Sequence, residues 1–113
     1  MVRRLTDFEI EKLQKEYNFP NWQSPDLAGP IDPLTFKDPE GDTLLHYAAL
    51  RGDEHAALML LEAGSDPNAI GDIGRTPLHY ASTAKHEGIV QLLLAHGARE
   101  DIRDEFGNLA GSR

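Results

Sequence analysis

Gly41-Asp-Thr-Leu-Leu-His-Tyr-Ala48 returns as Gly74-Arg-Thr-Pro-Leu-His-Tyr-Ala81, an offset of 33 residues (74 − 41). The match continues beyond the motif, with Leu60-Leu61 over Leu93-Leu94 and Gly64 over Gly97, so the chain contains an internal repeat. Thr43 and Thr76 each stand where a helix should begin, with a hydroxyl able to accept from an unpaired amide of the first turn. Pro77 falls at the first helical position, where no amide donor is needed.

Each repeat then reads as two helices. Leu45, Ala48 and Ala49, or Leu78, Ala81 and Ser82, give the first helix a small packing face. In Ala56-Ala57-Leu58-Met59-Leu60-Leu61 and Ile89-Val90-Gln91-Leu92-Leu93-Leu94 the apolar positions recur at i, i+3 and i+4, as in a helix buried on one side. Gly64 and Gly97 are placed to end these second helices with positive φ.

A 33-residue period carrying Thr-Pro-Leu-His-x-Ala resembles the ankyrin repeat over Lys37 to Asn108. The resemblance implies an all-α solenoid of helix-turn-helix units with hairpin-like turns, divided here as 37–69, 70–102 and a partial unit 103–113. In that last unit Asp104-Glu-Phe-Gly-Asn108 repeats the turn, but Leu109 and Ala110 replace Thr and Pro, so a turn without helices is expected. The family uses the imidazole of His46 and His79 to tie one turn to the next, and an aspartate at Asp38 and Asp104 to brace the turn. Two departures stand out. Leu44 replaces the Pro, and Lys85 replaces the Gly that ends the first helix with positive φ, a conformation costing a non-glycine residue about 1 kcal/mol.

Residues 1–36 lie outside the repeat. Thr6 followed by Glu9 reads as a capping box, with Leu5 and Ile10 as the flanking apolar staple. Phe8, Leu13 and Tyr17, with Ile10 close by, give an apolar stripe. Four prolines between Asn18 and Asp38 disfavour regular structure, yet Phe19, Trp22, Leu27, Ile31, Leu34 and Phe36 are too many large apolar groups for a flexible linker. Since an array needs about three stacked units, this segment is expected to cap the first repeat, through Phe8, Leu13, Tyr17 and Trp22.

Composition narrows the function. The 113 residues, 40% hydrophobic, suit one modest domain, and no apolar run is long enough for a bilayer. Neither disulfide nor thiolate chemistry is available without cysteine. A net charge of −8 argues against nucleic acid, whose binding draws on Lys and Arg at phosphates, and favours a basic partner. None of the five histidines has the spacing of a zinc protease helix, no calcium loop is present, and no serine sits in a Gly-x-Ser-x-Gly elbow. The expectation is no catalytic residue, no metal and no cofactor.

Ankyrin repeats hold their partners, usually proteins, on the turns and the outer edge of the first helices. Carried across, those positions are Lys37, Pro39, Glu40, Asp42, Leu50 and Arg51 in the first unit and Ile70, Asp72, Ile73, Arg75, Thr83 and Ala84 in the second. Arg103, Glu105, Phe106 and Asn108 complete the set from the third turn. Ile70, Ile73, Leu50 and Phe106 ringed by Glu40, Asp42, Asp72 and Glu105 resemble an interface, apolar at the centre and charged at the rim. The expected protein is a monomeric, cytoplasmic, non-catalytic binder of a basic protein, of the inhibitor or immunity type. The alternative is a scaffold, adaptor or part of a longer array.

Overall fold

The computed structural model describes residues 4–17 and 32–111. The wrap expected from Phe19, Trp22, Leu27 and Ile31 lies outside the described residues. The helices are α1 (Asp7–Glu16), α2 (Leu44–Arg51), α3 (Glu54–Glu62), α4 (Pro77–Thr83) and α5 (Glu87–Ala95). Among the described residues there is no strand, only isolated antiparallel bridges between Lys37 and Thr43 and between Arg103 and Leu109. The fold is the expected all-α repeat.

The repeat motif writes its own helix starts. Thr43 caps α2 by accepting from the His46 amide, while the Thr43 amide donates to His46 Nδ1 at 2.9 Å. Thr76 and His79 reproduce this at α4, also at 2.9 Å. It is a capping box with histidine in the place of Glu or Gln, so one ring nitrogen is committed to the cap. Gly52 at φ 77° ends α2, and the Asp53 carboxylate accepts from the Ala56 amide to start α3 at once. So short a connection forces α2 and α3 antiparallel. Gly64 and Gly97 take φ of 101° and 96° after α3 and α5.

The helices stack in two layers, α2 on α4 and α3 on α5, with each repeat joining a member of both. Ala48, Ala49, Ala56, Ala57 and Ala81 are buried between them, and side chains this small let the backbones approach closely. Leu44, Leu45, Leu60, Leu78, Ile89 and Leu93 fill the remaining space. At the far end Ala110 is fully buried, its carbonyl accepting from Ser82 Oγ at 3.1 Å, although no helix follows the third turn among the described residues.

Helix α1 has both halves of its capping box, the Glu9 amide to Thr6 Oγ1 at 3.1 Å and the Thr6 amide to Glu9 Oε1 at 3.0 Å. Leu13 and Tyr17 are fully buried, but Phe8 is 75% exposed, which corrects the expected stripe. Leu13 lies five positions beyond Phe8, so they stand roughly 140° apart around the helix. The buried row is instead Ile10, Leu13 and Tyr17, at i, i+3 and i+7. Tyr17 anchors its end at the α2–α3 corner, its hydroxyl donating to Asp53 Oδ2 at 2.9 Å. The Arg51 guanidinium lies 4.4 Å from the Tyr17 ring centroid and donates to the Glu16 carbonyl.

Lys85, expected to be strained, does occupy the left-handed region at φ 62°, where its counterpart in the first repeat is Gly52. Lys85→Gly should therefore raise the stability by about 1 kcal/mol, read as an increase in urea midpoint without change of slope. An unchanged or lower midpoint would show that the lysine side chain itself contributes at this site.

Candidate partner-binding surface

Three turns project in register from the helices. In each, the first residue donates to the carbonyl of the fifth: Asp38 to Asp42 at 3.0 Å, Gly71 to Arg75 at 2.8 Å, and Asp104 to Asn108 at 2.9 Å. Asp38 Oδ1 also accepts from the Glu40 and Asp42 amides, and Asp104 Oδ1 from the Phe106 and Asn108 amides. Both aspartates thus brace their turns as the resemblance implies. Burial pushes the Asp104 carboxyl up, but the Asn108 and Phe106 amides and the Arg75 guanidinium leave it below the ordinary carboxylate value.

The turns are bolted to one another by the motif histidines. Since His46 Nδ1 accepts from the Thr43 amide, Nε2 carries the proton, and it donates to the Arg75 carbonyl at 2.9 Å. His79 does the same to the Asn108 carbonyl at 3.0 Å. Burial lowers the pKa of His46, against opposing contributions from the Arg75 carbonyl and Asp42.

Gly71 stands where the other turns have Asp38 and Asp104. Its turn is held from outside: Asp42 Oδ1 accepts from the Asp72 amide at 3.0 Å, and the Tyr80 hydroxyl donates to both Asp42 oxygens at 3.1 Å. A Cβ at Gly71 would lie only 2.1 Å from Asp42 Oδ1. One turn on the polarity reverses, because Arg75, the counterpart of Asp42, reaches forward to Asp104, with Nε 3.4 Å from Oδ2. Tyr47 completes the series by donating to Asp38 Oδ2. Gly71, Tyr47 and Tyr80 are not among the residues the sequence singles out for the turns, and the one signal it carries for them is a glycine at the position of Asp38 and Asp104.

Of the carried-over positions, Lys37, Glu40, Leu50, Arg51, Ile70, Thr83, Arg103, Glu105 and Phe106 are exposed. Ile70 and Phe106 show 56% and 72% of their surface to solvent. Asp42, Asp72, Ile73 and Arg75 are half-buried, which corrects the expectation that they stand free. Asp42 and Arg75 are occupied within the chain as described, and Ile73 is held by its carbonyl, which accepts from the Glu105 amide at 2.9 Å. Ile73 is also left-handed, at φ 59°, unusual for a β-branched residue. Arg51 lies about 12 Å from the turn, at the other end of α2, so it does not neutralise the turn acids locally.

Two measurements test this ladder. Gly71→Asp should cost roughly 2–3 kcal/mol by crowding Asp42 with a like charge, and adding Asp42→Arg should recover at least about 1 kcal/mol by recreating the Arg75–Asp104 arrangement. Strict additivity of the two losses would rule out the coupling. Because His46 is held neutral in the fold, the folded protein binds fewer protons than the unfolded chain. Its contribution is therefore complete above the ordinary histidine value of about 6.5 and is lost as the pH falls below it. The melting temperature should rise from pH 5 to pH 7, and His46→Asn should rise less.

The comparisons with known proteins agree with this geometry. A family model described as ankyrin repeats, in three copies, matches residues 21–104, beginning within the segment read from sequence as a cap. The human transient receptor potential cation channel subfamily A member 1 is 39% identical over 80 residues, covering 71% of this chain and 7% of the channel. The phosphate system positive regulatory protein of Saccharomyces cerevisiae is 35% identical over 102 residues, covering 88% of this chain and 8% of that protein. Mouse neurogenic locus notch homolog protein 1 is 44% identical over 63 residues, 56% of this chain and 2% of its own length. The chain thus spans less than a tenth of each of these relatives. It belongs to the ankyrin-repeat family, whose repeats are a protein–protein interaction module.

Proposed function

We propose that the chain is a non-catalytic binder of a basic protein and acts by occupying it, as a small acidic inhibitor of the immunity type working in the cytoplasm. The observation that carries this reading is the turn face, where exposed Ile70 and Phe106 stand beside the acids Glu40, Asp72 and Glu105. Apolar groups there supply contact area, and the acids select a basic surround. The net charge of −8 adds long-range attraction, which speeds encounter and fades with salt. Two arginines of the set are engaged elsewhere, Arg75 with Asp104 and Arg51 with Tyr17 and Glu16.

A second reading, a docking segment of a scaffold or adaptor, is favoured by relatives in which the matched region is a small part of a long protein. Light scattering bears on it, since an isolated chain that associates end to end favours this reading and a monomer favours the first.

For the test, a photo-crosslinking residue is placed at Ile70 or Phe106 and, as reference, at the exposed Gln91 of α5. The first two should capture one identifiable basic protein that position 91 does not. With that protein purified, association should slow as salt rises, and Phe106→Ala should speed dissociation at every salt. An acidic partner, or capture from position 91 alone, would end the proposal.

A further inference from the structure

We propose that the crevice between α2 and α4 receives an arginine side chain of the partner protein, an assignment that rests on the chain being a protein-binding module and names one chemical element of what it binds. The crevice is lined by Asp42, His46, Tyr47, Leu50 and Tyr80 and has a volume of about 60 Å³. One water needs roughly 10–15 Å³ of such space, so the crevice has room for a small side-chain head group.

The first reason is an acid without a base. Asp42 is half-buried, and its carboxylate accepts from the Asp72 amide and the Tyr80 hydroxyl, yet no Lys or Arg among the described residues forms an ion pair with it. The repeat itself shows what is missing. One repeat further on, the position of Asp42 is taken by Arg75 and that of Gly71 by Asp104, and these two form an ion pair. The first interval has an acid, but its other position is a glycine with no side chain to offer. A side chain at position 71 would crowd Asp42, since its Cβ would lie 2.1 Å from Oδ1. A cation paired with Asp42 would therefore come from another molecule.

The second reason is the wall. Tyr47 and Tyr80 line the crevice with their hydroxyls committed to Asp38 and Asp42, so each ring is fixed beside a carboxylate. A guanidinium is planar, stacks on aromatic faces and pairs with carboxylates through two donors, whereas an ammonium does so only as a point charge. The chain already uses this contact internally, with Arg51 stacked on Tyr17. Exposed Glu40 and half-buried Asp72 belong to the turns flanking the mouth and favour the same sign of ligand.

The probe is the capped tripeptide acetyl-Gly-Arg-Gly-amide, titrated into the full ¹⁵N-labelled chain, with the citrulline tripeptide as its uncharged isostere. Shifts should concentrate at Asp42, Leu50, Gly71 and Tyr80 and saturate near 1 mM in order of magnitude, ~4 kcal/mol of binding. Citrulline should give none. Asp42→Asn keeps an acceptor for the Asp72 amide and the Tyr80 hydroxyl but removes the charge, and should weaken the response about tenfold. The same charge change at exposed Glu100, Glu100→Gln, should leave it unaltered. If Asp42→Asn fails to fold, Leu50→Arg tests the same point at an exposed position, because an arginine supplied by the chain should exclude the peptide. Shifts spread over the acidic surface and indifferent to both variants would overturn the proposal. So would an equal response to citrulline. If the crosslinks from positions 70 and 106 persisted under either of those outcomes, the crevice would fall and the protein-binding reading would stand.

Discussion

The structure depends on an imidazole bridging two structural levels. In each motif one nitrogen of the ring closes the cap of its own helix and the other donates to a carbonyl of the following turn, so local helix initiation and stacking of repeats are one event. Both histidines are buried, and a buried donor left without its partner costs about 1–3 kcal/mol, which makes the turn spacing insensitive to most changes elsewhere. The paired alanines of the inner helices follow from the same constraint. The turn reaches the imidazole only if α2 and α4 lie close together, and larger side chains would hold them apart.

The polar side chains along the turns form an alternating series on that framework. Asp38 braces its own turn, Asp42 reaches forward to the turn that begins at Gly71, and Arg75 reaches forward to Asp104. Each turn is held either by its own aspartate or by one donated from upstream. The exchange leaves the surface uneven in charge, with an ion pair at one interval and an unpaired acid beside two tyrosines at the other.

Left-handed residues mark where local preference yields to the array. Lys85 follows α4 at the place of Gly52, and Ile73 sits at the tip of the middle turn, its carbonyl accepting from the Glu105 amide of the third. Neither residue favours this conformation by itself. The repeat geometry on both sides determines the backbone, and the side chain accommodates it.

The 33-residue echo by itself determined the fold, because Thr, Pro, His and Gly each carry a local backbone requirement that does not depend on distant neighbours. Thr6, Thr43, Thr76, Gly64 and Gly97 are all where those requirements put them. The small inner face was legible for the same reason. Tertiary structure alone decided the rest. Phe8 turns outward because only one row of α1 meets the repeats. Arg51, at the far end of α2, spends its guanidinium on the Tyr17 ring, and Asp42 becomes a brace because position 71 has no side chain. These outcomes depend on which groups meet across 30 or more residues of chain, such as Asp42 and Asp72, and a side chain's partner at that range is set by packing rather than by its own propensity.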